Sequence, residues 1–402
     1  MKYFDDLGRT ILDRWQRANF DDRAFPDVAA SALGERPPSA HVDPMEVVQW
    51  VQDTDAIVRQ EGPLVKFGEP AITVYRNEGF YIDVLFWVDG TTAIHQHGFS
   101  GAFHVMQGGS IESVYDFAPT RRYSERLMLG DLALREVHHL KRGDVRPILA
   151  GTQFIHALFH LERPSVSVVV RTPNDPVAGP QYSYVRPGIA FDPFHETDSM
   201  RRRWEILRLL SRSTHAEFEA RARATVQRVD AFTAFHLATR LRGCFHEHAA
   251  YLAFLDSVRP SHDALIDALR IQADDDRRSL HLMTRRALAK SAEHRFFLAL
   301  LLNLHDRARI LEGVRTELPD RDPAKAVVTW IAELAKLDEV AAWVGEMAKA
   351  TAARILDFRA DAVTLEVARA ILEGRWAGPA DEAQAGALRA LRESLVVGNL
   401  FA

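Results

Sequence analysis

Apolar positions change their spacing twice along the chain. Before about residue 60, Leu7, Ile11, Leu12 and Trp15 recur at helical intervals, and Met45, Val48 and Val51 do so after the break at Pro37-Pro38. That spacing predicts short amphipathic helices. From about Lys66 to Arg171, runs rich in Val, Ile, Phe and Tyr are punctuated by Gly and Asp, the texture of short strands. Within that stretch residues 80–87 form an extended run, a turn is expected at Asp89-Gly90, and residues 110–117 and 166–171 read as further strands. Residues 172–180, with three prolines, together with Pro187-Gly188 and Pro193, predict an irregular exit.

From about Asp198 onward the spacing becomes helical again. Phe218, Ala222, Val226, Val229 and Phe232 trace one stripe, and Val327, Val328, Trp330, Ile331, Leu334 and Leu337 trace another. Breaks are expected near Gly243, Pro260, Pro319-Asp320 and Gly378-Pro379, giving roughly nine or ten helices of ordinary length. No fixed repeat period stands out. The expected division is N-terminal helices over residues 1–60, a β domain over 61–195 and an all-helical region over 196–402.

The strand-rich part carries the candidate chemistry. His95 and His97 are separated by one residue, and period-two alternation aims both imidazoles from one face of a strand. Such a pair can hold a divalent transition metal. Gly108-Gly109, the strand at 110–117, Gly143-Asp144 and a Gly-centred turn leading to His156 follow in order. That order resembles the two sequence motifs of the cupin β-barrel. The resemblance implies an α+β, multidomain chain: a jelly-roll barrel flanked by short helices, then an all-α region. Its metal ligands would be His95, His97 and His156.

Composition narrows the setting. A net charge of -5 argues against nucleic acid or an anionic membrane as the main partner. Cys244 is the single cysteine, so neither an internal disulfide nor a thiolate metal cluster is available. The N-terminus lacks the basic start and apolar core of a signal peptide, and the longest apolar run, 296–302, is too short to span a bilayer. A cytoplasmic protein is expected.

Tyr75-Arg76-Asn77, then residues 80–87 ending in Trp87, then Ile94-His95-Gln96-His97-Gly98 are similar to the cysteine dioxygenase family of cupins. The likeness covers about residues 66–171. It implies ferrous iron on three neutral imidazoles, with Mn, Ni or Zn able to use the same ligands, and dioxygen as co-substrate. It makes Arg76 the partner of a substrate carboxylate, a task that guanidinium geometry suits. Most cupins add a glutamate five residues after the second histidine; here that position is Ala102. The family's Ser-x-His-x-Tyr set corresponds to Ser167-Val-Val169-Val-Arg171, which keeps only the serine.

His104, two residues past Ala102, is expected to point inward, and His160, four past His156, falls where cupins commonly carry an inward Asn. Each could be a fourth ligand, a group that orients the ligands, or a proton carrier; a hydrogen-bonded core histidine is the alternative. The leading expectation is a mononuclear non-haem iron oxygenase acting on a small carboxylate-bearing or thiol substrate. Two others stay open: a non-catalytic metal-binding cupin whose helical region binds a partner or a second copy, and a tailoring oxygenase acting on a carrier-bound substrate.

Overall fold

Every strand between residues 71 and 191 pairs antiparallel, and the pairs resolve into two sheets. A computed structural model describes residues 1–55, 57–60, 68–88, 92–175, 178–286, 288–348 and 356–402. The turn expected at Asp89-Gly90 and the opening of the β domain near Lys66 lie outside the described residues. The strands are β1 (Ala71–Arg76), β2 (Tyr81–Trp87), β3 (Ile94–His97), β4 (Gly101–Gln107), β5 (Ser110–Ser124), β6 (Leu127–Leu140), β7 (Val145–Ile148), β8 (Gly151–His160), β9 (Ser165–Arg171), β10 (Ser183–Val185) and β11 (Ile189–Phe191). One sheet has the order β1-β2-β9-β4-β7. The other, β10-β11-β6-β5-β8-β3, closes on itself because β10 pairs with β3. The expected antiparallel barrel is present, and its closure uses two short strands inside the stretch read from sequence as an irregular exit.

The first sheet is buried on both faces, so its strands read as continuous apolar runs instead of alternating ones. All seven residues of β2 are buried. Ile82, Val84 and Phe86 join Val166, Val168 and Val170 and the outward Ala102 and Met106 under the N-terminal helices. Leu85, Trp87, Phe103, Val105 and Val169 face the other way, into the space between the sheets.

Four helices cover the outer face of this sheet: α1 (Lys2–Arg17), α2 (Phe25–Glu35), α3 (Pro38–His41) and α4 (Pro44–Asp53). Leu7, Ile11 and Trp15 are buried in α1 as their spacing predicts, Leu12 is half-buried, and Phe4 joins the stripe. In α4 the stripe is displaced: Val47 is fully buried, whereas Met45 is 57% exposed. Its start is fixed by Asp43, whose side chain accepts from the Met45 N–H at 2.8 Å and forms a capping box with Glu46, with Pro44 in the first turn.

After β11 come α5 (Asp198–Ser213), α6 (His215–Arg228), α7 (Ala231–Leu241), α8 (His248–Val258) and α9 (Asp263–Arg286). Phe218, Ala222 and Val226 of α6 and Phe232 of α7 are buried as their stripe predicts, in one core with Leu127 of β6 and Ile189 of β11. These helices therefore pack on the second sheet. Strand gives way to helix near residue 196 as expected, but the compact units are Met1–Asp275 and Asp276–Ala402. Burial of α5–α8 against β6 and β11 is what joins them to the barrel.

The second unit holds α10 (Ala292–Asn303), α11 (Arg307–Glu317), α12 (Pro323–Ala348), α13 (Ala362–Leu372), α14 (Glu382–Glu393) and α15 (Gly398–Phe401). The run 296–301 of α10 is buried on every side, which makes this the central helix of the unit. Val327, Val328, Trp330, Ile331 and Leu334 of α12 are buried as expected; the Leu337 side chain lies outside the described residues. The Trp330 indole N–H donates to Glu293 at 2.9 Å. All four expected breaks fall between α-helices, two of them in single 3-10 turns at Arg242–Cys244 and Arg259–Ser261, and α5–α15 make eleven α-helices among the described residues.

Candidate metal centre

The three histidines read from sequence meet in the space between the sheets. His95 and His97 project from β3, and the barrel register sets His95 opposite His156 of β8. One ring nitrogen from each lies within 4.8 Å of the other two, and all three residues are buried. The Nε2 atoms of His97 and His156 are 3.0 Å apart. Two ligands at right angles around an ion at about 2.1 Å would be separated by about this much.

Hydrogen bonds fix the tautomers that coordination needs. His156 donates its Nδ1–H to Glu112 at 3.0 Å, and His95 donates its Nδ1–H to the Ala93 carbonyl at 2.8 Å. Both Nε2 atoms then carry lone pairs, the arrangement usual for metal-bound imidazole. Burial holds the His95 imidazole down at about 3, with the neighbouring His156 adding to the effect. Burial likewise pushes His97 well below its ordinary value, helped by His95, His156 and Arg171. Neutral imidazoles gathered at one point are a donor set for a metal ion, so the residues fit the group.

Glu112 is the functional residue that the sequence reading missed. It is 1% exposed on β5 and joins His156 to Arg146, whose Nε lies 3.3 Å from its second oxygen. The available signal was an acid inside the strand 110–117, since a buried carboxylate needs a partner.

The cavity above the ligands has a volume of about 50 Å³, room for about three or four water-sized groups. Its walls include Trp87, Phe99, Phe103, Asp83, Ser167, Val169 and Arg171. Ser167, Val169 and Arg171 are the three alternate positions aligned with the family's Ser-x-His-x-Tyr set, so their inward direction agrees with the sequence reading. The expected site residues outside the ligand set lie elsewhere.

His104 does not point inward. Phe103, in step with His97 by twos, faces the cavity and His156, at 6.3 Å between ring centroids, while Ala102, the position counted as the missing glutamate, faces the N-terminal helices. The His104 ring, two residues on, is fully buried, and its Nε2 accepts from the Ser39 N–H of α3 at 3.2 Å. Desolvation lowers its pKa to about 4, against a smaller upward pull from Asp144. It is a core histidine joining helix to sheet.

His160 is inside the barrel but behind Trp87, whose indole stacks on it at 4.6 Å and 19°. Its Nδ1 is 2.8 Å from Ser110 Oγ. It does not line the cavity itself but backs Trp87, which does. That indole donates to Ser167 Oγ on the wall at 3.1 Å. Arg76 is also absent from the wall: its guanidinium lies 5.1 Å from the Tyr81 ring, at the edge strand β1.

No protein-family model matches the sequence, and no curated protein matches it. Among solved structures the chain is similar to a hydroquinone 1,2-dioxygenase from Sphingomonas sp. TTNP3, at 10% identity over 30% of this chain and 83% of that one, with a TM-score of 0.23. It is also similar to a conserved protein with a double-stranded β-helix domain from Klebsiella pneumoniae, at 17% identity over 34% and 84%, with a TM-score of 0.19. A DMSP lyase from Ruegeria pomeroyi matches at 12% identity over 43% and 79%, with a TM-score of 0.23. At these scores the likeness carries no argument about chemistry, which rests on the site itself.

Proposed function

We propose that the chain is a mononuclear, metal-dependent cupin oxygenase in which His95, His97 and His156 hold ferrous iron and a small substrate meets dioxygen in the cavity above them. The observation that carries the reading is the convergence of three buried imidazole nitrogens, with the outer ring nitrogens of His95 and His156 tied back, the latter to a carboxylate. Three neutral ligands leave an ion its full positive charge and open positions on one face. When bound, ferrous iron would supply one-electron chemistry toward dioxygen and a Lewis-acidic seat for a thiol or carboxylate.

The chain's own groups do the rest. Glu112 fixes the His156 ring and its tautomer. Phe99, Phe103, Leu158 and Val169 exclude water from the open face, which strengthens every charge interaction there. The small cavity limits the substrate to a few heavy atoms near the ligands. The departures at Val169 and Arg171 mean that the substrate is recognised differently from the way the cysteine dioxygenase likeness implies.

Elemental analysis of the purified protein after anaerobic reconstitution with ferrous iron should give about one iron per chain. His97→Ala should lose tight binding while far-UV circular dichroism stays unchanged. Oxygen uptake with small thiol carboxylates should then follow the iron. Iron retained in the variant would overturn the ligand assignment; iron without uptake across such substrates would favour the metal-binding module.

A further inference from the structure

Within the walls of this cavity one cationic side chain has no use in the ligand set and no counter-ion among the described residues: Arg171, the last residue of β9. Its Nε donates to Tyr81 Oη at 2.6 Å, and its guanidinium lies over the Tyr81 ring at 4.8 Å and over the Phe99 ring at 4.3 Å. Phe99 in turn packs 4.6 Å from the His97 ring. One aromatic ring therefore separates the cation from a metal ligand.

The two terminal nitrogens of Arg171 make no hydrogen bond and no ion pair among the described residues. A guanidinium has five N–H donors, and only the one on Nε is used. A cation partly removed from water beside a low-dielectric wall is costly unless an anion meets it. The cavity's acid does not do so: Asp83, 5% exposed, accepts from Thr73 Oγ1 at 2.8 Å and makes no ion pair with Arg171. A phenol oxygen and two ring faces hold the fork at the wall of the cavity that the three histidines line.

We infer that Arg171, and not Arg76, is the anion receptor of this site, and that the substrate is a small carboxylate which Arg171 grips bidentately while its other end reaches the metal face. The inference deepens the oxygenase reading and rests on it for the metal. The register explains the exchange of arginines. Arg76, Tyr81 and Arg171 are direct cross-strand neighbours on β1, β2 and β9, so both guanidinium groups approach the one Tyr81 ring, and the central strand sets Arg171 on the cavity wall.

The test compares mercaptoacetate with its neutral amide, mercaptoacetamide, by calorimetric titration into the full-length protein, both metal-free and after reconstitution with ferrous iron under anaerobic conditions. A bidentate, charge-assisted contact should make the wild type prefer the carboxylate by about ten- to a hundredfold. Arg171→Gln should lose that preference with its iron content unchanged, Arg171→Lys should keep part of it, and Arg76→Gln should stay within about twofold of wild type. Should Arg171→Gln not fold, the Lys variant decides: full preference without the fork refutes the bidentate grip. Equal binding of the two probes to the wild type, no carboxylate binding in either metal state, or loss confined to Arg76→Gln would overturn the assignment. Failure of the metal reading gives a different pattern, in which iron is absent while the carboxylate preference and its dependence on Arg171 persist in the metal-free protein.

Discussion

At the scale of single residues, the centre depends on a carboxylate that binds no metal. Glu112 accepts the His156 Nδ1–H and meets Arg146, so its removal frees the ring to turn and leaves a partly buried cation without its partner. Glu112→Gln keeps the shape but weakens the charge-assisted bond. It should lower metal affinity by about 10- to 100-fold, read as earlier loss of iron to a competing chelator; unchanged competition would show that His156 is positioned by packing alone. The ligands themselves were legible in the sequence because His-x-His states its geometry locally. Glu112 was not, since its partner lies 44 positions away and only the β5–β8 register brings them together.

At the scale of elements, β4 shows that alternation is only as good as the residue it is counted from. Counting by twos from Ala102, taken as the place of the missing glutamate, sends His104 inward, yet Ala102 itself faces the N-terminal helices and Phe103, in step with His97, takes the inward place. His104 instead joins β4 to α3, an attachment that requires a neutral ring because its Nε2 accepts from Ser39. Its pKa of about 4 lies below the ordinary value near 6.5. Between those values the unfolded chain binds more protons than the folded one, so stability is lost as pH falls from about 6.5 toward 4 and is complete above that window. The loss should be on the order of 3 kcal/mol. In metal-free proteins, His104→Leu should flatten this part of the stability profile measured by urea unfolding, the ligand imidazoles titrating in both. Parallel profiles would mean that the ring titrates alike in the folded and unfolded chains.

At the scale of the whole molecule, two helical layers sandwich the barrel within the first unit, and the metal ligands come from strands distant in sequence. Binding at such a site favours the folded barrel by mass action. The melting temperature of the wild type should therefore rise with ferrous iron concentration, by an increment that grows with the logarithm of free metal, and His95→Ala should show no rise. An equal rise in both proteins would place the metal elsewhere.

The sequence by itself determined the order of textures, helix then strand then helix, because hydrophobic period is written in consecutive residues. It also picked out the three histidines that cluster, since His-x-His and a histidine after a Gly turn are local patterns, and it determined the absence of a glutamate at position 102. Tertiary structure decided everything that needed a register between strands: which face of β4 looks inward, the tie from Glu112 to His156, and the replacement of Arg76 by Arg171 on the cavity wall. It also decided that the first helices after the barrel share its core. The physical reason is the same in each case. Period reports which residues share a face, but only the hydrogen-bond ladder and the packing of buried side chains decide what that face meets.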